Sequence, residues 1–288
     1  MLYSEHKSAE DFLAVARPTL ELHESVNGLM LGIASRLVSE PKAYGSQPYL
    51  ATIESGGSLR LAAVMTPPYK LQVYSEDDRD TAGFEMLAER LMQGKWNVPG
   101  VIARGTAAEA FASVWSRKTG VRCQTGMRQG VYELRKVVDP PYPPGDMTQA
   151  TTQDMDLARQ WARGFHDECF DDDRYEQSIK AAESKVKTGT LFFWVDGEPV
   201  SMAARTRPTP HGEAVSFVYT PPEQRRKGYA TALVARLSQI VLDDGKQFCT
   251  LYTDLSNPTS NSVYRKVGYT KVAEVLDIHF QSQTGRSS

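Results

Sequence analysis

Cysteine is scarce in this chain: Cys123, Cys169 and Cys249 are all there are, an odd number and widely spaced. Neither they nor the scattered histidines (His6, His23, His166, His211 and His279) form a Cys-x-x-Cys or His-x-x-His pair, so no metal site is expected. Three isolated thiols suit packing roles in a reducing compartment. Long apolar runs are missing as well, and nothing approaches the length needed to cross a bilayer. The opening MLYSEHKSAEDFLAVA carries early acids and no compact apolar core, unlike a secretory signal. A cytoplasmic protein with no membrane partner is expected. Charge of one sign is not in surplus either. With Lys+Arg at 33, Asp+Glu at 35 and a net charge of −2, the chain lacks the basic excess of a general nucleic-acid binder. A Gly-x-Ser-x-Gly elbow and a Walker-type loop are also absent. What remains is an ordinary globular composition over 288 residues, enough for one large or two medium domains.

The most informative segment is residues 215–231, VSFVYTPPEQRRKGYAT. Val215 to Tyr219 is an apolar, β-branched and aromatic run that reads as a buried strand. Pro221 and Pro222 end it, because proline fixes φ and lacks an amide donor. Gln224, Arg225, Arg226, Lys227, Gly228, Tyr229, Ala230 and Thr231 then lead into the helical run TALVARLSQIVL. Strand, basic glycine loop and helix start together make an anion site. The first-turn amides point outward unpaired, and the helix dipole favours negative charge there. Taken alone, the segment also reads as a basic turn before a surface helix.

Downstream, Gly245 fits a helix stop and residues 247–253 (QFCTLYT) read as a strand. In DLSNPTSNSVYRKVGY, Asn257-Pro258 opens a turn, Ser260 or Asn261 can cap a short helix, and Gly268 ends it. The spacing Arg225-x-x-Gly228-x-Ala230, followed at this distance by Asn257, Asn261 and Tyr264, resembles the GNAT superfamily of acyl-CoA N-acetyltransferases. That resemblance implies acetyl-CoA as co-substrate, with no metal. The pyrophosphate would lie on the amides from Arg225 to Thr231, Gln224 included in the loop. The pantetheine arm would pair with the backbone of Phe217, Val218 and Tyr219 in a V-shaped opening where their strand leaves its neighbour. Asn257 and Asn261 become candidate cofactor contacts. Tyr264 becomes both a contact and the candidate general acid for the departing thiolate.

An amine is protonated at neutral pH, so the reaction also needs a proton acceptor. Glu213, at the entry to the central strand, is the first candidate, with an exposed acid in the TPHGEA turn as the plainer reading. His211 is a weaker one. The acceptor region in this fold lies by the first helices, here residues 165–173 (FHDECFDDD), whose acids and aromatics suit a cationic amine. A solvated interhelix loop reads equally well. The acceptor would be a small-molecule or peptide amine. The alternative from another class is a non-catalytic acyl-CoA sensor or assembly module. Oligomeric state is left open.

Residues 139–145, DPPYPPG, divide the chain near its middle and read as a stiff linker. Residues 146–288 follow the GNAT order: two helices, an antiparallel meander with a turn at Asp196-Gly197, then β-α-β-α-β. Residues 1–138 echo the plan: a helical opening, strands divided at Gly56-Gly57, and a helix near residues 82–94. There, however, the counterpart of the cofactor loop carries Glu76, Asp77, Asp78 and Asp80. Each would repel a pyrophosphate by about 1 kcal/mol or more near a surface. Trp115 also stands near the place of the tyrosine. The expected fold is therefore α/β (α+β), with two GNAT-like domains, each a mixed, mostly antiparallel twisted sheet flanked by helices. The first is read as a degenerate copy and the second as catalytic; an unrelated α/β first domain is the other reading.

Overall fold

A computed structural model of the protein describes residues 1–170 and 173–281. The chain forms two compact units, and the units do not follow the linear order of the sequence. Among the described residues, unit 1 is Met1–Val131 with Asp254–Ser256 and residues 271–281; unit 2 is Tyr132–Thr253 with Asn257–Thr270. Both are mixed, mostly antiparallel sheets flanked by helices, as the sequence implies.

In unit 1, β1 (Leu2–Glu5) precedes helices α1 (Ala9–Leu20) and α2 (Glu24–Ser39). Strands β2 (Tyr49–Ser55), β3 (Ser58–Met65) and β4 (Leu71–Ser75) form an antiparallel meander. Helix α3 (Thr81–Gln93) then crosses to β5 (Gly100–Arg104), parallel to β4, and α4 (Gly105–Thr119) leads to β6 (Arg122–Leu134). The meander strands read as nearly continuous apolar runs because both faces are covered. Phe84, Leu87, Phe111 and Trp115 of α3 and α4 pack on one face, and Phe12, Leu31 and Leu37 of α1 and α2 on the other.

The last strand of the chain, β12 (Thr270–Gln281), completes this sheet. It pairs antiparallel with β5, from Val275 opposite Arg104 to His279 opposite Gly100. Leu276 and Ile278 enter the α3/α4 core. On its edge, Lys70 Nζ donates to Asp277 Oδ2 at 2.6 Å and lies 2.9 Å from His279 Nε2. This strand was expected to close the second domain. A period-two pattern marks a strand but names no partner, and here the partner is β5.

Unit 2 contains β7 (Asp146–Gln149), α5 (Met155–Cys169), α6 (Tyr175–Lys187), β8 (Leu191–Asp196), β9 (Glu198–Thr206) and β10 (Gly212–Tyr219). Helix α7 (Tyr229–Asp243), β11 (Phe248–Asp254) and α8 (Pro258–Val267) follow. Strands β7 to β10 are successively antiparallel, and β11 joins β10 in parallel. The half expected to open directly with two helices begins instead with edge strand β7. Thr151 explains the switch: its hydroxyl accepts from Gln153 N at 3.3 Å while Asp154 Oδ2 accepts from Thr151 N at 2.8 Å, so the turn starts only there. Leu233, Leu237 and Val241 of α7 bury against one face of the sheet with Val215 and Leu251. Trp161 of α5 and Val186 of α6 bury against the other with Phe193 and Met202.

Because Ile278 fills the unit 1 core, Ile278→Ala should lower stability by about 2–4 kcal/mol in urea unfolding. A loss below about 0.5 kcal/mol would mean that β12 is not a working part of that core.

Candidate active site

The site begins where β10 and β11 separate. Their parallel pairing runs only from Gly212 opposite Phe248 to Ala214 opposite Thr250. Gly212 makes the closed end possible, since a β-carbon there would lie 2.1 Å from the Phe248 ring. Beyond Ala214, β10 follows β9 and carries a bulge: Ser216 faces Ala204 and Tyr219 faces Met202, with one extra residue between. Phe217 takes up the irregularity at φ +55°, a left-handed conformation unusual for a bulky side chain. A bulge bends its strand and drops backbone groups out of the ladder. The V expected around Phe217, Val218 and Tyr219 is thus built into the strand, while the Tyr219 carbonyl accepts from Ser201 Oγ at 3.2 Å.

After Pro221 and a 3-10 turn over Pro222–Gln224, the loop reaches α7 through two left-handed residues, Arg226 at φ +63° and Gly228 at φ +91°. Gly228 is the N-cap of α7 and supplies no side-chain acceptor. The first helical bond runs from Ala232 N to the Gly228 carbonyl at 3.0 Å, so Tyr229, Ala230 and Thr231 present their amides outward. The side chains behave differently from what their charge suggested. Arg225 Nε donates to the Thr220 carbonyl at 2.9 Å, and its other end is ion-paired with Glu168. Lys227 Nζ donates to Gln224 Oε1 at 2.7 Å, and the Tyr229 hydroxyl donates to Asp196 at 2.6 Å. What the loop can offer an anion is the backbone amides, the helix dipole and the charges of Arg226 and Lys227, while Arg225 acts as a brace.

In α8, Asn257 is the N-cap and accepts from Ser260 N at 3.0 Å. Asn261 is buried and occupied: it accepts from the Tyr132 hydroxyl at 3.0 Å and donates to the Asn257 carbonyl at 2.6 Å. Its place is structural as well as adjacent. Tyr264 is buried against Tyr269, and burial raises its pKa above the usual phenol value, with the Cys169 thiol adding to the effect. Cys169, at the end of α5, had been read as a packing residue.

Glu213 is neither exposed nor loose. It is buried, and Arg205 holds its Oε2 through Nη2 at 2.7 Å and Nε at 3.1 Å. Arg205 also reaches Asp244 at the end of α7, at 2.6 Å. Glu213 therefore lies on the α7 face of the sheet. The bulge directs Phe217 and Tyr219 to the opposite face: Phe217 stacks on Phe165 of α5 at 5.0 Å, and Tyr219 packs on Trp161. Strand alternation puts Ser216 and Thr250 on that same α5/α6 face. Their hydroxyls are buried with no hydrogen-bond partner among the described residues. Nothing in the sequence set these two apart. Of the expected acidic acceptor region, Glu168 is paired with Arg225, and Asp167 lies 3.9 Å from Arg163. Asp171 and Asp172 lie outside the described residues.

Residues 194–276 match the family model described as FR47-like protein. No curated protein sequence matches the chain. Among solved structures, a Drosophila protein aligns with TM-score 0.68 at 13% identity, covering 97% of this chain and 98% of that one. A GCN5-related N-acetyltransferase from Sphaerobacter thermophilus aligns with TM-score 0.62 at 16% identity, covering 96% and 95%. A tandem GNAT protein from the clavulanic acid biosynthesis pathway aligns with TM-score 0.58 at 12% identity, covering 99% of both chains. The chain has the GNAT fold.

Within that GNAT fold, the corresponding place in unit 1 is built differently. Strand β4 pairs with β3 in unbroken register from Leu61 opposite Ser75 to Val64 opposite Gln72, without a bulge. The Arg104 guanidinium donates to the Ser75 carbonyl at 2.5 Å and pairs with Asp78 at 2.8 Å, tying the ends of β4 and β5 together. Asp80 caps α3, accepting from Gly83 N at 3.0 Å, and is held by Arg60 at 2.9 Å. A carboxylate thus stands at the N-terminus of α3, where α7 offers free amides. Trp115 is core, stacked between Phe111 and Phe280. Among the described residues no group of acidic, histidine and cysteine side chains could hold a metal ion, and no helix is long and apolar enough to cross a membrane.

Since the buried Glu213 is removed while the partly exposed Arg205 keeps Asp244, Glu213→Ala should cost about 1–2 kcal/mol of stability. Thermal or urea unfolding reads this directly. An unchanged midpoint would leave the ion pair without structural weight.

Proposed function

We propose that unit 2 is an acetyl-CoA-dependent N-acetyltransferase acting on a primary amine, small-molecule or peptide, by direct attack in a ternary complex. The observation that carries this reading is the bulge at Phe217 followed within a dozen residues by an uncapped helix N-terminus. The first opens a sheet edge for an extended arm, and the second supplies amides for a pyrophosphate at one end of that arm. Acetyl-CoA brings the activated thioester. The protein orients it on the backbone of Phe217 to Tyr219 and on the loop from Gln224 to Thr231, with Asn257 at the adjoining helix start.

The amine nitrogen bonds to the acetyl carbon, the carbon–sulfur bond breaks, and the departing thiolate takes a proton from water to end as a thiol. Tyr264 serves the leaving sulfur. Its raised pKa keeps the phenol protonated across the neutral range, so it donates a hydrogen bond as negative charge develops and is a reluctant source of a full proton. The amine's proton needs a different route from the one first expected. Glu213 is engaged by Arg205 on the α7 face, the opposite side of the sheet from Phe217 and Tyr219. The Ser216 and Thr250 hydroxyls, on the α5/α6 face beside Phe217, are better placed to hydrogen-bond the attacking nitrogen and pass its proton to water. Unit 1, with Arg104 across its strand ends and Asp80 capping α3, is in this reading a copy that does not bind CoA. The cytoplasm is the proposed location. A non-catalytic acyl-CoA sensor shares the pocket, but would not show steady release of thiol.

Titration with acetyl-CoA should give one site per chain. Two sites would mean that unit 1 binds as well, and none would sink the enzyme reading. Gly228→Glu, which places a carboxylate and a strained φ at the N-cap, should weaken that binding by about a hundredfold or more. Tyr264→Phe should lower turnover while leaving CoA affinity within about twofold. Because its pKa is raised above 10, loss of the Tyr264 proton should not depress turnover below pH 10. An alkaline limb centred below pH 9 and absent in Tyr264→Phe would contradict the raised pKa.

A further inference from the structure

The proline-rich stretch between β6 and β7 makes contacts that a spacer would not need. Tyr142 lies against Trp194 of β8, with ring centroids 6.2 Å apart and 13° between the planes. Arg236, on the exposed side of α7, brings its guanidinium 4.4 Å from the same ring. Trp194 Nε1 donates to the Pro144 carbonyl at 2.9 Å, and the Tyr142 hydroxyl donates to Asp139 at 2.8 Å. Residues 139–145 are therefore strapped onto β8 and α7. The strap also reaches the loop proposed to hold the pyrophosphate. The atoms nearest the open side of Gly228 are Pro143 Cγ and Cδ, both 3.9 Å from where a β-carbon would stand.

Gly228 carries the left-handed turn that aims the first α7 amides, and glycine leaves such a turn cheaply. A loop that must be ordered on binding loses affinity by the ordering it requires, so a fixed wall beside it has value. We propose that the strap is a positioning element for the nucleotide half of the cofactor site: Tyr142, held by Trp194 and Arg236, keeps Pro143 beside Gly228, where it bounds the movement of that residue and so favours the conformation that presents the amides of Tyr229, Ala230 and Thr231. This rests on reading the α7 N-terminus as the pyrophosphate site. Tyr142 and Pro143 act through Gly228 and touch no reacting atom.

The test compares wild type, Tyr142→Ala, Tyr142→Phe and Pro143→Gly by amide hydrogen exchange without cofactor and by calorimetric titration with CoA. Tyr142→Ala should speed exchange of the Ala232 amide, which is bonded to the Gly228 carbonyl, and leave Leu237 to Val241 unchanged. It should also weaken CoA binding by about tenfold, the cost of ordering the loop only when the cofactor binds. Tyr142→Phe, which keeps the ring, should restore both. Pro143→Gly removes only the wall and should reproduce both effects if Tyr142→Ala does not fold. Unchanged exchange at Ala232 overturns the proposal, as does faster exchange spread evenly through unit 2, which would make the strap a general stabiliser. If the wild type fails to bind CoA, the pyrophosphate reading falls, while the exchange data still decide whether the strap holds Gly228.

Discussion

The structure of the candidate site depends on a single register change in β10. Up to Ala214 the strand is held on both edges, by β9 and by β11. After Ser216 one extra residue enters the ladder with β9, Phe217 turns left-handed, and the pairing with β11 has already ended. A left-handed phenylalanine is costly by itself, so the surroundings must compensate. Phe165 stacks on its ring, and Lys185 approaches to 5.5 Å. The strain sits where backbone groups have been released from the sheet, and released backbone groups are what an added strand-like ligand requires.

The bulge also decides which side chains meet. Regular alternation would send Phe217 to the same face as Glu213 and Val215; the extra residue returns it to the face of Ser216. The α7 face then receives an apolar core and the Glu213–Arg205–Asp244 cluster, both serving to hold the helix whose N-terminus faces the loop. The α5/α6 face receives the aromatic side chains and the two hydroxyls that find no partner among the described residues. Of the loop's three cations, Arg225 is spent on Glu168 and Lys227 bonds the neutral Gln224. An anion arriving there meets dipoles fixed by the fold beside side-chain charge, and fixed dipoles need no reordering on binding.

The two units show how little separates a presented helix N-terminus from a closed one. Both place a helix after the fourth sheet strand of the plan. In unit 2 the cap is Gly228, which has no side chain to offer. In unit 1 it is Asp80, which satisfies Gly83 N internally and is neutralised by Arg60. Arg104 then joins the strand ends that β10 and β11 leave apart. The acidic loop was legible as hostile to phosphate. That its acids are caps and ion-pair partners was not, because pairing with Arg60 and Arg104 depends on residues distant in sequence.

Local chemistry fixes what the chain alone could disclose. The order of strands and helices, the turn at Asp196-Gly197, the glycine at the start of α7 and the stop at Gly268 follow from dihedral preferences and side-chain patterns within a few residues, and they sufficed for the fold. Tertiary structure decided everything that depends on partners. Glu213 became a buried ion-pair member because Arg205 and Asp244 converge on its face. Asn261 was taken by Tyr132, β12 joined β5, and the supposed linker became a strap because Trp194 and Arg236 receive Tyr142. Side-chain hydrogen bonds, ion pairs and stacks join residues from 8 to 129 positions apart in these cases, and no periodicity in the chain records which of them will meet.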